Sequence, residues 1–144
     1  MEAFLARIKI RPVLVGGLVD FMLTTMLVIP FSMIALQVGF HGMNSEEIAS
    51  QPWYLVVSMF LGLIGSLVGG YVAALLAKKE EVLHGLLAAT WLNTIWGLMD
   101  LTSASHQMPR LLAALGLFLG PAFGALGGAI RAMHQTANGS AAIK

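Results

Sequence analysis

The sequence predicts an all-α, polytopic membrane protein: four transmembrane helices in one compact bundle, with residues 1–144 as a single transmembrane domain. Three observations predict it. Hydrophobic residues make up 58% of the chain and charged residues only 10%, at a mean hydropathy of +0.83. A water-soluble domain carries roughly 25% Asp, Glu, Lys and Arg, so this chain lacks the polar coat that water requires. Stretches of about 20 apolar residues, the length that crosses a bilayer core, occupy positions 13–38, 53–77, 82–101 and 111–130. Finally, seven of the eight Lys and Arg fall on one side of those stretches.

The first stretch follows Arg7, Lys9 and Arg11 and contains Asp20. A carboxylate near a helix centre costs about 2.5–3.5 kcal/mol, whereas each Leu, Ile, Phe or Val favours insertion by about 0.3–0.6 kcal/mol. The fourteen residues of those four types between Val13 and Val38 outweigh Asp20. The run is longer than the roughly 7–15 residues of a cleaved signal and meets no small-residue cleavage site, so it reads as a retained anchor, kinked at Pro30. Ahead of it, Phe4, Leu5 and Ile8 share a face that suits the membrane interface.

The connection Gly39–Pro52 is the one sizeable polar loop. Asn44 or Ser45 before Glu46 and Glu47 gives an N-cap with acids in the first turn, hence a short surface helix ended by Pro52. Trp53 and Tyr54 open the second stretch and Trp96 lies near the end of the third, positions suited to an aromatic belt. The Lys78–Glu81 turn is tight, and the tail from His134 to Lys144 is small and polar, which predicts a mobile end. Arg7, Lys9, Arg11, Lys78, Lys79, Arg131 and Lys144 lie on one side and Arg110 on the other. The positive-inside rule then puts both termini in the cytoplasm.

Lipid tails are as apolar as Leu, so small residues that let backbones approach must hold these helices together. Gly116, Gly120, Gly124 and Gly128 recur every four residues in the last stretch. The second carries Gly62, Ser66, Gly70 and Ala74 on one stripe, with Gly65, Gly69, Ala73 and Ala77 beside it. Four-residue spacing places each set on one helix face. These faces predict packing between helices, with a ligand-lining groove as the other reading.

An ionisable residue inside a span is a functional candidate. Asp20 sits on the order of 10 Å from the cytoplasmic boundary at ~1.5 Å per residue, and Gly16, Asp20 and Thr24 share a stripe. Tyr71 lies at a similar depth and offers a hydroxyl, while His84 and Arg131 are charge partners to consider. Three roles stand open for Asp20: a hydrogen-bonded tie between helices, a proton- or cation-coupling site, and a contact to another subunit. Asn93, on a stripe with Ala89 and Gly97, reads as an interhelical hydrogen bonder, and Asp100 and Arg110 as a surface pair.

Chemistry beyond that has little foothold. There is no Cys, no HExxH, no GxSxG and no P-loop. His41 and His106 lack ligand spacing, and Ser32, Ser58 and Ser66 lack a His–Asp arrangement. A net charge of +1 gives no basic surface for nucleic acid. The reading is therefore a non-enzymatic accessory or structural subunit without cofactor or metal, packing in the lipid bilayer against other membrane subunits or itself. The alternative is a small proton- or cation-coupled transporter or channel using Asp20, with Thr24, Tyr71 and Asn93.

The run Gly69-Gly70-Tyr71-Val72-Ala73-Ala74, a charged turn, and Leu83-His84-Gly85-Leu86-Leu87 resembles a pattern in small bacterial four-span membrane proteins of unknown function. The likeness covers residues 62 to about 97. It implies a four-span fold with an inward N-terminus and no particular activity, and the Lys-Lys-Glu-Glu turn departs from the Gly- and Arg-richer turn of that pattern. Val15-Gly16-Gly17-Leu18-Val19-Asp20-Phe21 resembles the opening of the GtrA-like family, associated with polyprenyl-linked sugars, but that group's later Asn-Arg-aromatic pattern is missing. The small multidrug exporters also place one acid in the first span, in shorter chains and with an aromatic pattern not found here.

Because the chain has no Cys, single cysteines report its topology directly. Lys78→Cys and Arg131→Cys are expected to react with an impermeant maleimide from the cytoplasmic face alone, and His106→Cys from the opposite face alone. Labelling of Lys78→Cys and Arg131→Cys from different faces refutes the layout.

Overall fold

The computed structural model describes residues 8–38, 44–102 and 110–141, almost all of them in helices. Four are long: α1 (Ile10–Val38), α3 (Pro52–Ala77), α4 (Glu81–Thr102) and α5 (Arg110–Ala141), with the five-residue α2 (Ser45–Ala49) between α1 and α3. Three candidate membrane spans lie within them, at Ile10–Gln37, Pro52–Ala77 and Ala114–Ala137. The expected third crossing, 82–101, does form a helix of 22 residues. It is not among the three candidate spans found in the described residues, and His84, Thr90, Asn93 and Thr94 punctuate it.

The ends of the helices follow from local chemistry. Asn44 caps α2: its side chain accepts from the Glu47 N–H at 2.9 Å, while the Glu47 carboxylate accepts from the Asn44 N–H at 3.0 Å. Ile48, the buried face of α2, tucks beneath it. Pro52 opens α3 at the position where a missing N–H costs nothing, rather than merely ending α2. α3 stops at Lys78, left-handed at φ 60°, whose N–H closes onto the Ala74 carbonyl at 3.2 Å. Glu80 is also left-handed, at φ 50°, so this short turn holds two non-glycine residues in a conformation that disfavours each by roughly 1–2 kcal/mol.

One boundary differs from expectation. α5 continues past Ile130 to Ala141 instead of giving way to a loose tail at His134. The segment has no proline to stop it, and Thr136 donates back to the Ala132 carbonyl within the helix at 3.1 Å. α1 runs unbroken through Pro30, and α5 through Pro121. The amphipathic start at Phe4 and Leu5, the loop histidines His41 and His106, and the side chains of Asp100 and Arg110 lie outside the described residues.

α3 and α4 each meet all three other long helices, while α1 and α5 lie on opposite sides of that pair and do not meet among the described residues. The α1–α3 crossing rests on Gly16 and Gly69: a Cβ on Gly16 would stand 2.6 Å from the Gly69 carbonyl oxygen, and one on Gly69 2.5 Å from the Gly16 carbonyl oxygen. At the α3–α5 crossing a Cβ on Gly70 would lie 2.7 Å from the Gly124 Cα. At the α4–α5 crossing one on Gly128 would lie 2.6 Å from the Glu81 carbonyl oxygen. Much of the close-approach surface is thus occupied inside the chain.

Size sorts the residues in the opposite sense to a soluble core. Ala73, Ala74, Ala77 and Ala88 are fully buried, whereas Phe118 and Met26 are 77% and 73% exposed. Small residues inside and large apolar ones outside is the distribution that lipid selects. Gly124→Val should therefore lower stability by at least about 3 kcal/mol through backbone overlap. Gly116→Ala, with nothing within 4 Å of its would-be Cβ, should stay within about 0.5 kcal/mol of the parent. Unfolding in mixed micelles under increasing SDS reads both.

Candidate functional site

Asp20 is 4% exposed, on the face of α1 turned toward α3. Glycine makes its place: a Cβ on Gly69 would stand 2.7 Å from the Asp20 Cβ, and one on Gly65 would be 2.8 Å from Oδ1 and overlap Thr24 Oγ1. Each carboxylate oxygen accepts one hydroxyl. Thr24 Oγ1 donates to Oδ1 at 3.2 Å and Ser66 Oγ to Oδ2 at 2.9 Å. A short acid in a packed helix interface is stable only when its oxygens are met in this way.

Toward the end of the bundle away from the Lys78–Glu80 turn, Asp20 borders a cavity of about 200 Å³ between α1, α3, α4 and α5. Thr24, Thr25, Ser66 and Asn93 supply its other polar groups, and Met59, Leu63, Leu92, Phe21 and Trp96 its apolar wall. Asp20 is the sole ionisable lining residue. Gly62 and Gly116 complete the lining, and they are the two stripe glycines with room to spare. A Cβ on Gly62 would meet Thr24 Cγ2 only at 3.9 Å, and one on Gly116 would meet nothing within 4 Å. Gly65, Gly69, Gly70, Gly120, Gly124 and Gly128 all face atoms closer than 3 Å. The glycine stripes therefore change character along the bundle, from backbone contact at the turn end to open lining at the other.

Asn93 lies where its stripe placed it, facing protein, but its amide Nδ2 donates to the Ala89 carbonyl of its own helix at 2.7 Å. It packs over Gly120 rather than bridging two helices by a hydrogen bond. Tyr71 is not an Asp20 donor: its ring stands edge-on to His134, centroids 6.1 Å apart. Ser66 takes that role. Its position on the Gly62–Gly70 stripe, facing α1, was the available signal.

His84 is remote from Asp20 as well. Buried at 1% exposed, it joins the segment before α1 to the α3–α4 turn. Lys9 N–H donates to Nε2 at 3.0 Å and Nδ1 lies 2.9 Å from the Glu80 carbonyl. Both contacts are satisfied when the proton sits on Nδ1. Lys9 Nζ donates to the Ala77 carbonyl at 3.1 Å, placing a cation on the negative end of α3. Farther along, Tyr54 and Ser32 hydroxyls pair at 2.7 Å and Phe31 stacks on Tyr54. Among the described residues no group of three or more His, Cys, Asp or Glu could hold a metal ion.

The fold and the composition of its helices define a multi-pass helical membrane protein with three candidate spans. Comparison with protein-family models, curated proteins and solved structures gave no match.

Ser66→Ala removes the donor to Oδ2 and should lower stability by about 1–2 kcal/mol. Thr25→Val removes a hydroxyl bonded only to the Phe21 carbonyl of its own helix and should change stability by less than about 0.5 kcal/mol. Equal effects in reversible SDS unfolding would deny Ser66 its place at the carboxylate.

Proposed function

We propose that this chain is a small carrier or channel of the inner membrane in which a proton or cation couples through Asp20. The observation that supports this most directly is the open lining at Gly62 and Gly116 beside a buried carboxylate in the middle of the bundle. A carboxyl that served only to tie α1 to α3 would sit in packed surroundings, and its hydroxyl partners Thr24 and Ser66 would not border empty space. Carboxylate, hydroxyl and amide oxygens are also the ligand types a hard monovalent or divalent cation takes, with water completing its shell.

In this reading all four long helices cross the bilayer, with both termini cytoplasmic. The resemblance to small bacterial four-span proteins agrees with that layout. The competing reading is an accessory subunit held to a larger assembly; most of the glycines of its packing faces meet helices of the same chain.

Proteoliposomes carrying an internal pH dye and a potential-sensitive dye separate the two. The expected result is cation- or proton-dependent flux in the parent that falls at least about tenfold, equivalent to 1.4 kcal/mol, in both Asp20→Asn and the cavity-filling Gly116→Leu. Flux that is absent in the parent or indifferent to both changes refutes the proposal. Stoichiometric co-purification of other membrane chains from mild detergent would then favour the accessory role.

A further inference from the structure

The other end of the bundle holds a second recess, independent of Asp20. It measures about 320 Å³ and lies between the turn of Lys78, Lys79, Glu80 and Glu81 and the α5 face of Ala132, Gln135 and Thr136. Two candidate spans end beside it, at Ala77 and Ala137, so its depth is that of the phospholipid headgroups.

Its charges are arranged unusually. Lys78 and Lys79 are exposed, as interfacial lysines are. Glu81 is not: it is 8% exposed, and both carboxylate oxygens are buried without a hydrogen-bond partner. Arg131 Nε, on the same helix as Gln135, is likewise buried and unpartnered. A buried carboxylate left without donors loses its hydration and gains nothing in exchange. Its place in the first turn of α4 offers some relief from the helix dipole, but no donor.

We propose that this recess binds a phospholipid headgroup carrying a primary ammonium, with Glu81 as the acceptor for its N–H groups and Lys78 and Lys79 beside its phosphate. The chemistry discriminates among headgroups. A primary ammonium brings three donors, enough for both orphaned oxygens once the Glu81 side chain turns toward it. A trimethylated ammonium has no N–H to give and is held instead by aromatic faces, and no aromatic residue lines the recess. A purely anionic headgroup would satisfy the lysines and leave Glu81 both unpartnered and repelled.

The test titrates the full-length chain in detergent with short-chain phosphatidylethanolamine, phosphatidylcholine and phosphatidylglycerol, counting retained lipid by native mass spectrometry. Phosphatidylethanolamine should be retained about tenfold more tightly than phosphatidylcholine, the scale of one or two charge-assisted hydrogen bonds. Glu81→Gln should erase that preference and leave residual phosphate-dependent binding, which Lys78→Gln with Lys79→Gln then weakens. Equal retention of the three lipids by the parent, or a preference that survives Glu81→Gln, overturns the proposal. Should Glu81→Gln fail to fold, glycerophosphoethanolamine set against glycerophosphocholine as competitors on the parent chain decides the same point: equal competition overturns it. A free headgroup that binds as tightly as the whole lipid overturns the lipid as its source.

Discussion

The arrangement depends on one constraint: helices surrounded by hydrocarbon gain nothing from hiding apolar surface, so they must gain from touching. Gly16 with Gly69, Gly70 with Gly124, and Gly128 with the start of α4 bring backbone against backbone. Any side chain at these points would occupy space already held by a carbonyl or a Cα. The alanines that line the same interfaces are fully buried, and the large residues are displaced outward to the lipid.

That constraint also explains how an acid is tolerated at mid-bundle. Gly65 and Gly69 let α3 approach α1 so closely that Asp20 fits only against bare backbone. The same approach delivers Ser66 to within 2.9 Å of Oδ2. Packing and polar satisfaction are therefore one event: the glycines that tighten the helix pair are the ones that bring the donor. At Gly62 the lining opens, and the carboxylate that is closed in toward the turn end borders a cavity on its other side.

Much of the fold was legible because it follows from one-dimensional rules. Hydropathy and length marked the four long helices, though α5 ran eleven residues past the expected Ile130, to Ala141, because helix propensity continues where hydropathy stops. Asp20 and Thr24, one turn apart, were legible as a pair. Tyr71 was not where depth alone placed it. Depth fixes height along a helix and says nothing of rotation, and rotation turned Tyr71 to His134 and Ser66 to Asp20. Asn93 failed for another reason: a carbonyl one turn back on its own helix competes for its amide.

By itself, then, the sequence determined the solvent, the long helices, the faces that carry glycine and the single acid within the first span, since composition and periodicity are properties of a chain alone. Tertiary structure decided which glycines touch and which, at Gly62 and Gly116, stand open; which hydroxyl reaches Asp20; and that Glu81 is buried without a donor. These depend on how one helix is rotated and shifted against another. That is set by the summed fit of whole interfaces and by no spacing within a single segment.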